Sequence, residues 1–302
     1  MALYTNTNGT LQEVKEKSFR LERDIQKIFE ANLLMVMGLE MVKSEFTIKN
    51  KRIDTLAFDK QSSAFIIIEY KRDKNMSVID QGFSYLSLML ENKADFILEY
   101  NESLKLTLKR DEVDWSQTRV IFVSTSFTDN QIQATNFKDI AIELWEVKQY
   151  DNNVITIHPI KKSASAESIK PVTQKNTVYK EVNEQIIVYT EQDHFDIGTE
   201  YTVELYKKFK AAILNLSDDI ELKPKKRNIG FKKDGKIFTD VCILKKTLKM
   251  WINLKKGQLD DPKGLAQDVS STGHWGNGDY QIQVEDDKHI EYIMSLVKQG
   301  LK

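Results

Sequence analysis

Two carboxylates and an amine fall close together on what reads as a single β-hairpin. Residues 52–58 (RIDTLAF) and 64–70 (AFIIIEY) have strand character, and the polar segment 59–63 (DKQSS) supplies the turn between them. A turn centred between Gln61 and Ser62 sets Phe58 opposite Phe65 and Asp54 opposite Glu69. Side chains alternate along a strand, so Glu69 and Lys71 share the face that carries Asp54. Like charges directly opposite one another destabilise a purely structural hairpin. They become favourable when a divalent cation sits between them, because hard oxygen ligands suit such an ion. Glu69 also ends an otherwise apolar strand, where an unpaired charge costs free energy. A lone Glu-x-Lys on a strand would more simply be an edge facing water. The whole pattern of strand Asp, polar turn, apolar strand, Glu-x-Lys and then a helix favours a site.

These residues resemble the PD-(D/E)xK nuclease superfamily: Asp54, a gap of fourteen residues, then Glu69-Tyr70-Lys71, with Ile53 where the name-giving proline would stand. On the following helix, Gln81-Gly82-Phe83-Ser84-Tyr85 resembles the Q-x-x-x-Y motif of the RecB-like branch. Gln81 and Tyr85 share a helix face; read alone, they are a partly buried Tyr beside an amide. The resemblance implies a restriction-endonuclease-like mixed sheet flanked by helices. It also implies a Mg²⁺ (or Mn²⁺) ion held by Asp54, Glu69 and the Tyr70 backbone carbonyl. Lys71 would orient the attacking water and stabilise negative charge. The superfamily often adds an acid from the first helix. Glu22, Glu30 and Glu45 are the candidates, and Glu30 is taken. Lys51, Arg52, Arg72 and Lys74 flank the triad and are candidates for phosphate contacts, each of them otherwise a solvated charge. The expected partner is DNA, with a homodimer as one allowed assembly. The competing reading is a non-catalytic module that retains a nuclease fold for binding.

The chain also resembles, over nearly its full length, a bacterial family of uncharacterised two-domain proteins, often labelled predicted transport proteins, with a C-terminal domain of unknown function. Ser44-Glu45-Phe46, Arg52-Ile53-Asp54-Thr55-Leu56, Ile67-Ile68-Glu69-Tyr70-Lys71-Arg72 and Asp260-Asp261-Pro262-Lys263-Gly264 carry that likeness. No apolar run approaches the ~20 residues of a spanning helix, so a transporter is not supported.

The elements that must position the triad follow from hydrophobic period. Residues 14–37 predict a helix, with Leu21, Ile25, Ile28, Phe29 and Leu33 at three- and four-residue steps and Gly38 as its stop. Strands are expected at 45–49, 52–58 and 64–70, a helix at 75–92 capped by Ser77 or Asn75, a doubly buried strand at 118–124, a helix at 127–137, and strands at 140–147 and 154–157. This α/β order assigns residues 1–160 to a nuclease-like domain. Residues 161–182, poor in large apolar side chains and containing Pro171, read as a linker. Residues 183–302 form a smaller α+β domain, with helices at 200–216 and 288–298 and strands at 237–244, 248–254 and 280–284.

The 302 residues carry a net charge of −1, 41% hydrophobic and 29% charged residues and a single cysteine, Cys242. Such a composition excludes a disordered chain, an intrachain disulfide and a cysteine-rich zinc site. The N-terminus lacks the sectors of a signal peptide, so the expected location is cytoplasmic. Charge is nevertheless uneven. Lysines crowd residues 223–256, interleaved with Phe231, Phe238 and Trp251, which reads equally as a nucleic-acid surface or a solvated sheet face. The glycines of residues 273–280 (GHWGNGDY) read as a tight turn. His158, His194, His274 and His289 show no metal-ligand spacing.

Overall fold

The computed structural model describes residues 3–71, 77–163, 165–174, 176–271 and 278–301. It divides into two compact units, Met1–Ile187 and Val188–Lys302. The fold class is the expected one: a mixed sheet flanked by helices, and a separate smaller α+β unit built on an antiparallel sheet.

The first unit opens with a hairpin, β1 (Leu3–Thr7) and β2 (Thr10–Val14), turned at Asn8-Gly9, both with positive φ. β3 (Glu16–Lys17) follows. The helix expected from residue 14 therefore starts later, as α1 (Glu22–Met37), where the Asp24 carboxylate accepts the Leu21 N–H at 3.0 Å. Gly38 ends it in the left-handed region with φ 72°. The meander β4 (Glu40–Ile48), β5 (Lys51–Asp59) and β6 (Ala64–Lys71) leads to α2 (Val78–Glu91), capped by Ser77, and to α3 (Lys93–Leu104), a helix that the sequence pattern did not place. β7 (Arg119–Ser124), α4 (Asp129–Thr135), β8 (Ile142–Tyr150) and β9 (Ile155–Pro159) complete the layer.

The sheet runs β3-β8-β7-β6-β5-β4, with β9 also on β8. β6 is antiparallel to β5 and parallel to β7. It lies at the centre with both faces covered, which is why its sequence is nearly all apolar. On one face α1 packs Ile25, Phe29, Leu33 and Met37 against Ala57, Ile66, Ile68 and Tyr70. On the other face Phe65 meets Phe96 and Tyr100 of α3. Each fully buried aromatic contributes roughly 1.5–3 kcal/mol of burial, so the two layers fix the sheet from both sides.

Residues 161–182 are not a free linker. They hold α5 (Lys170–Thr173) and the start of α6 (Thr177–Gln185), and both helices belong to the first unit. Tyr179 stacks on Phe83 of α2, with ring centroids 4.1 Å apart, and its hydroxyl bonds the Asp80 carboxylate. Ile169 and Val182 are buried. The segment has few apolar residues, but those few are spaced to dock.

The second unit contains α7 (Glu191–Phe195), α8 (Glu200–Leu214), β10 (Glu221–Pro224), β11 (Ile229–Lys233), β12 (Lys236–Ile243), β13 (Leu248–Ile252), β14 (Gln267–Asp268), β15 (Tyr280–Val284) and α9 (Ile290–Val297). Its antiparallel sheet runs β10-β11-β12-β13-β15-β14. Tyr206, Phe209 and Ile213 of α8 and Ile293 and Val297 of α9 join a core with Val241, Met250 and Ile282. Phe231, Phe238 and Trp251 are buried, so the aromatic-interleaved stacking surface considered from the sequence is not formed. Of the glycine-rich stretch, residues 273–277 lie outside the described residues. No described helix is long and apolar enough to cross a membrane.

Gly82 lets α2 approach the sheet. A Cβ there would fall 2.4 Å from Ile142 Cδ1 and 2.9 Å from its Cγ1. Overpacking costs about 1–3 kcal/mol, against a helix-propensity gain of about 0.5–1 kcal/mol for Gly→Ala. Gly82→Ala is expected to lower the urea midpoint, and Gly82→Val to lower it further. An unchanged midpoint for both would show that the approach is not tight.

Candidate active site

The hairpin has the expected register: Phe58 pairs with Phe65 and Thr55 with Ile68. The next pair is Asp54 and Glu69, where side chains replace the ladder. The Asp54 N–H donates to Glu69 Oε1 at 3.3 Å, and the Tyr70 N–H donates to Asp54 Oδ2 at 3.0 Å. The two strands are thus held by crossed carboxylate-to-amide bonds, which leave both carboxylates side by side on one face.

Lys71 Nζ lies 3.2 Å from Glu69 Oε2. From α2, Gln81 Nε2 donates to the same oxygen at 3.2 Å and lies 3.3 Å from the Tyr85 hydroxyl. Tyr85 in turn donates to the Arg52 carbonyl at 3.2 Å, joining helix to strand. Asp54, Glu69, Lys71, Gln81 and Tyr85 therefore form one cluster. Its chemistry is set by burial: Glu69 is only 2% exposed. Desolvation first, and the Asp54 charge second, push the Glu69 carboxyl up to about 7, against the opposing pull of Lys71. Burial also raises Asp54, while the Tyr70 N–H and Lys71 hold it down. Desolvation and then the Glu69 charge raise the Tyr85 phenol, which is a neutral donor at any ordinary pH.

Glu30 does not join this cluster. Its carboxylate accepts Thr55 Oγ1 at 2.6 Å, Gln26 Nε2 at 3.0 Å and Ser44 Oγ at 3.2 Å. Thr55 alternates with Asp54 and so points to the α1 face of the sheet, behind the carboxylates. The acids whose charges do reach Asp54 are Glu22 and Glu45. Glu45 has positive φ, 53°, and its Oε2 pairs with Arg52 Nε at 3.0 Å. Arg72 and Lys74 lie outside the described residues. Sequence reading missed Gln26, which is buried and donates to the Asp54 carbonyl at 3.0 Å as well as to Glu30. The available signal was an amide on the apolar stripe of α1, between Ile25 and Phe29.

Among the described residues, no three His, Cys, Asp or Glu side chains gather to hold a metal ion. The donor set here is two carboxylates. That suits Mg²⁺, which commonly takes one or two carboxylates and keeps several waters, better than an ion needing an all-protein cage.

A protein from Haemophilus influenzae (strain ATCC 51907 / DSM 11121 / KW20 / Rd), with the description "Uncharacterized protein", is 56% identical over 302 residues, spanning 100% of both chains. The chain belongs to that protein's family. Residues 191–301 match a family described as a domain of unknown function, DUF5655, which covers nearly all of the second unit. Among solved structures, one of an EndoMS–dsDNA2 complex is similar over 39% of this chain and 42% of that one, at 16% identity and a TM-score of 0.27. A repair endonuclease from Pyrococcus abyssi is similar over 40% of this chain and 44% of that one, at 17% identity and a TM-score of 0.23. The chain thus spans less than half the length of either structure.

The raised Glu69 carboxyl gives a signed pH dependence. The folded state keeps a proton that the unfolded state loses near the ordinary carboxylate value of 4.5. Glu69 therefore contributes stability at pH 4 that is lost as pH rises through about 7. In chelator, wild type should lose stability relative to Glu69→Gln between pH 5 and 8, read as the difference in their urea midpoints. A constant difference across that window would show that Glu69 titrates normally.

Proposed function

We propose that the first unit is a metal-dependent nuclease that hydrolyses DNA phosphodiester bonds. The observation that carries this reading is the facing pair of a half-buried Asp54 and a buried Glu69, with Lys71 on the same face. Burying two facing carboxylates beside one amine is costly for folding alone. It is the arrangement a site needs to gather positive charge and then meet a phosphate.

Asp54 and Glu69 are the side chains that would hold Mg²⁺ or Mn²⁺, with the Tyr70 carbonyl as a further donor. When bound, the ion supplies Lewis-acid stabilisation of the phosphoryl oxygens and lowers the pKa of a coordinated water. The protein's own groups divide the remaining work. Gln81 fixes the Glu69 carboxylate through Oε2, and Tyr85 fixes Gln81 and the Arg52 strand. Lys71 lies against Glu69 Oε2, and its amine is placed to donate to a non-bridging phosphate oxygen or to orient water. Gln26 holds the Asp54 peptide from behind, so that strand β5 cannot slide along α1. Arg52 and Lys51 lie on the rim, where phosphates of a bound strand would pass.

The test is cleavage of plasmid, linear duplex, branched and single-stranded DNA with Mg²⁺ or Mn²⁺. Wild type should cut at least one form. Lys71→Ala and Asp54→Asn should each lower the rate by about 100-fold or more, the scale seen when a group stabilising transition-state charge is removed. Glu30→Gln should lose stability but keep most of the rate per folded molecule. If wild type cuts nothing and isothermal titration shows no Mg²⁺ binding above pH 7, the nuclease reading fails.

A further inference from the structure

The second unit carries a charged feature that the nuclease site does not use. β10 and β11 are joined by a tight turn in which the Lys225 N–H donates to the Asn228 carbonyl at 2.8 Å, leaving Lys226 and Arg227 at its tip. β12 and β13 are joined in the same way: the Leu244 N–H donates to the Thr247 carbonyl at 3.0 Å, leaving Lys245 and Lys246 at the tip. All four tip residues are exposed cations. Because β11 pairs with β12, with Ile229 opposite Val241, the two tips project from the same end of the sheet. Two strand spacings separate them, about 10 Å.

Both tips are braced from below. The Lys225 carbonyl bonds His194 Nε2 at 2.8 Å, and the Lys225 amine pairs with the fully buried Asp240 at 3.1 Å. Asp240 is held again by Asn253 Nδ2 at 3.0 Å. Under the second tip, the Thr199 hydroxyl donates to the Lys245 carbonyl at 3.3 Å. On the neighbouring turn after β15, Asp286 is paired with Lys288 at 2.7 Å and Asp287 with Lys208 at 2.6 Å, and the Glu285 carboxylate accepts Gln283 Nε2 at 3.2 Å. The four cations thus sit on turns whose backbone is tied to the body of the unit.

We propose that these paired hairpin tips form a phosphate-backbone contact surface for duplex nucleic acid. Protein partners are usually anchored by apolar or aromatic side chains at an interface centre, and the tips present none. Single-strand binders stack bases on exposed aromatics; the tips carry no aromatic, and Phe231, Phe238 and Trp251 of the adjoining strands are buried. What remains is charge at fixed spacing, which suits the regular phosphates of a duplex and reads no sequence. The second unit would then contribute sequence-independent affinity. This assignment does not depend on cleavage by the first unit.

The experiment measures binding of the full chain to a fluorescein-labelled DNA duplex by anisotropy, with EDTA present so that no cut can occur. The quadruple variant Lys226→Ala/Arg227→Ala/Lys245→Ala/Lys246→Ala should bind at least 10-fold more weakly near 100 mM salt. Its plot of log affinity against log salt should be shallower by about 3.6, since each of the four lost phosphate contacts removes about 0.9 from the slope. A control, Lys255→Ala/Lys256→Ala, removes two cations beyond the opposite end of β13 and should leave binding within twofold. Circular dichroism and the urea midpoint should not move for either variant, because the tips are exposed. Unchanged duplex affinity and salt slope in the quadruple variant would overturn the proposal, and so would an equal loss in the control pair. Retained binding with no cleavage under Mg²⁺ would sink only the nuclease reading.

Discussion

Two carboxylates face each other, Glu69 buried and Asp54 half-buried, and the surrounding structure is arranged to make that tolerable. The β5–β6 ladder ends at Thr55 and Ile68. Beyond it the amides of Asp54 and Tyr70 are bonded by side chains instead of carbonyls. Each carboxylate thus satisfies a backbone donor on the other strand, and each strand is locked by the charge it carries. That exchange does not cancel the repulsion, and the elevated carboxyl groups record what is left. Lys71 and Gln81 supply the remaining donors to Glu69. Gln81 can do so only because α2 lies close to the sheet, and α2 lies close because residue 82 has no side chain.

The reverse face carries a second polar cluster with a different logic. Glu30, Gln26, Ser44 and Thr55 form a hydrogen-bonded set around one carboxylate, with three donors to Glu30. No second carboxylate shares it. A charge so satisfied anchors α1 to β4 and β5 and has little capacity left for a ligand. The two clusters differ in how their acids are satisfied: Glu30 takes three donors from its own protein, whereas Asp54 and Glu69 crowd each other.

The hairpin was legible in the sequence because strand alternation has a period of two and the turn is short. Phe58 opposite Phe65 followed from that alone, and the placement of Asp54 beside Glu69 came with it. Glu30 was misplaced for a related reason. Helical period shows which residues of α1 face the sheet, but not which face of the sheet α1 covers. The bond from Thr55 to Glu30 decides it in the fold, because Thr55 alternates with Asp54 along β5. α6 was hidden because Ile169, Tyr179 and Val182 are too sparse to register as an amphipathic pattern, yet stacking on Phe83 suffices to dock the segment. β10 and β11 were hidden by their lysines, which sit at a turn and on an open sheet face, where strand signals are weakest.

Net charge conceals how differently the two signs are used. Carboxylates gain chemical leverage from burial, since low dielectric raises their energy and makes a cation welcome. Lys226, Arg227, Lys245 and Lys246 of the second unit are placed the opposite way, exposed at hairpin tips. Lys225 differs from its neighbours at the tip: its amine turns inward to Asp240. That buried pair adds little net stability, but it fixes the turn, because a lysine held at its ammonium cannot let its backbone wander. His194 takes the carbonyl of the same residue, so both ends of Lys225 are tied. A flexible loop would present the same charges at a higher entropic cost for every contact made; a tip tied from beneath has already lost that freedom on folding.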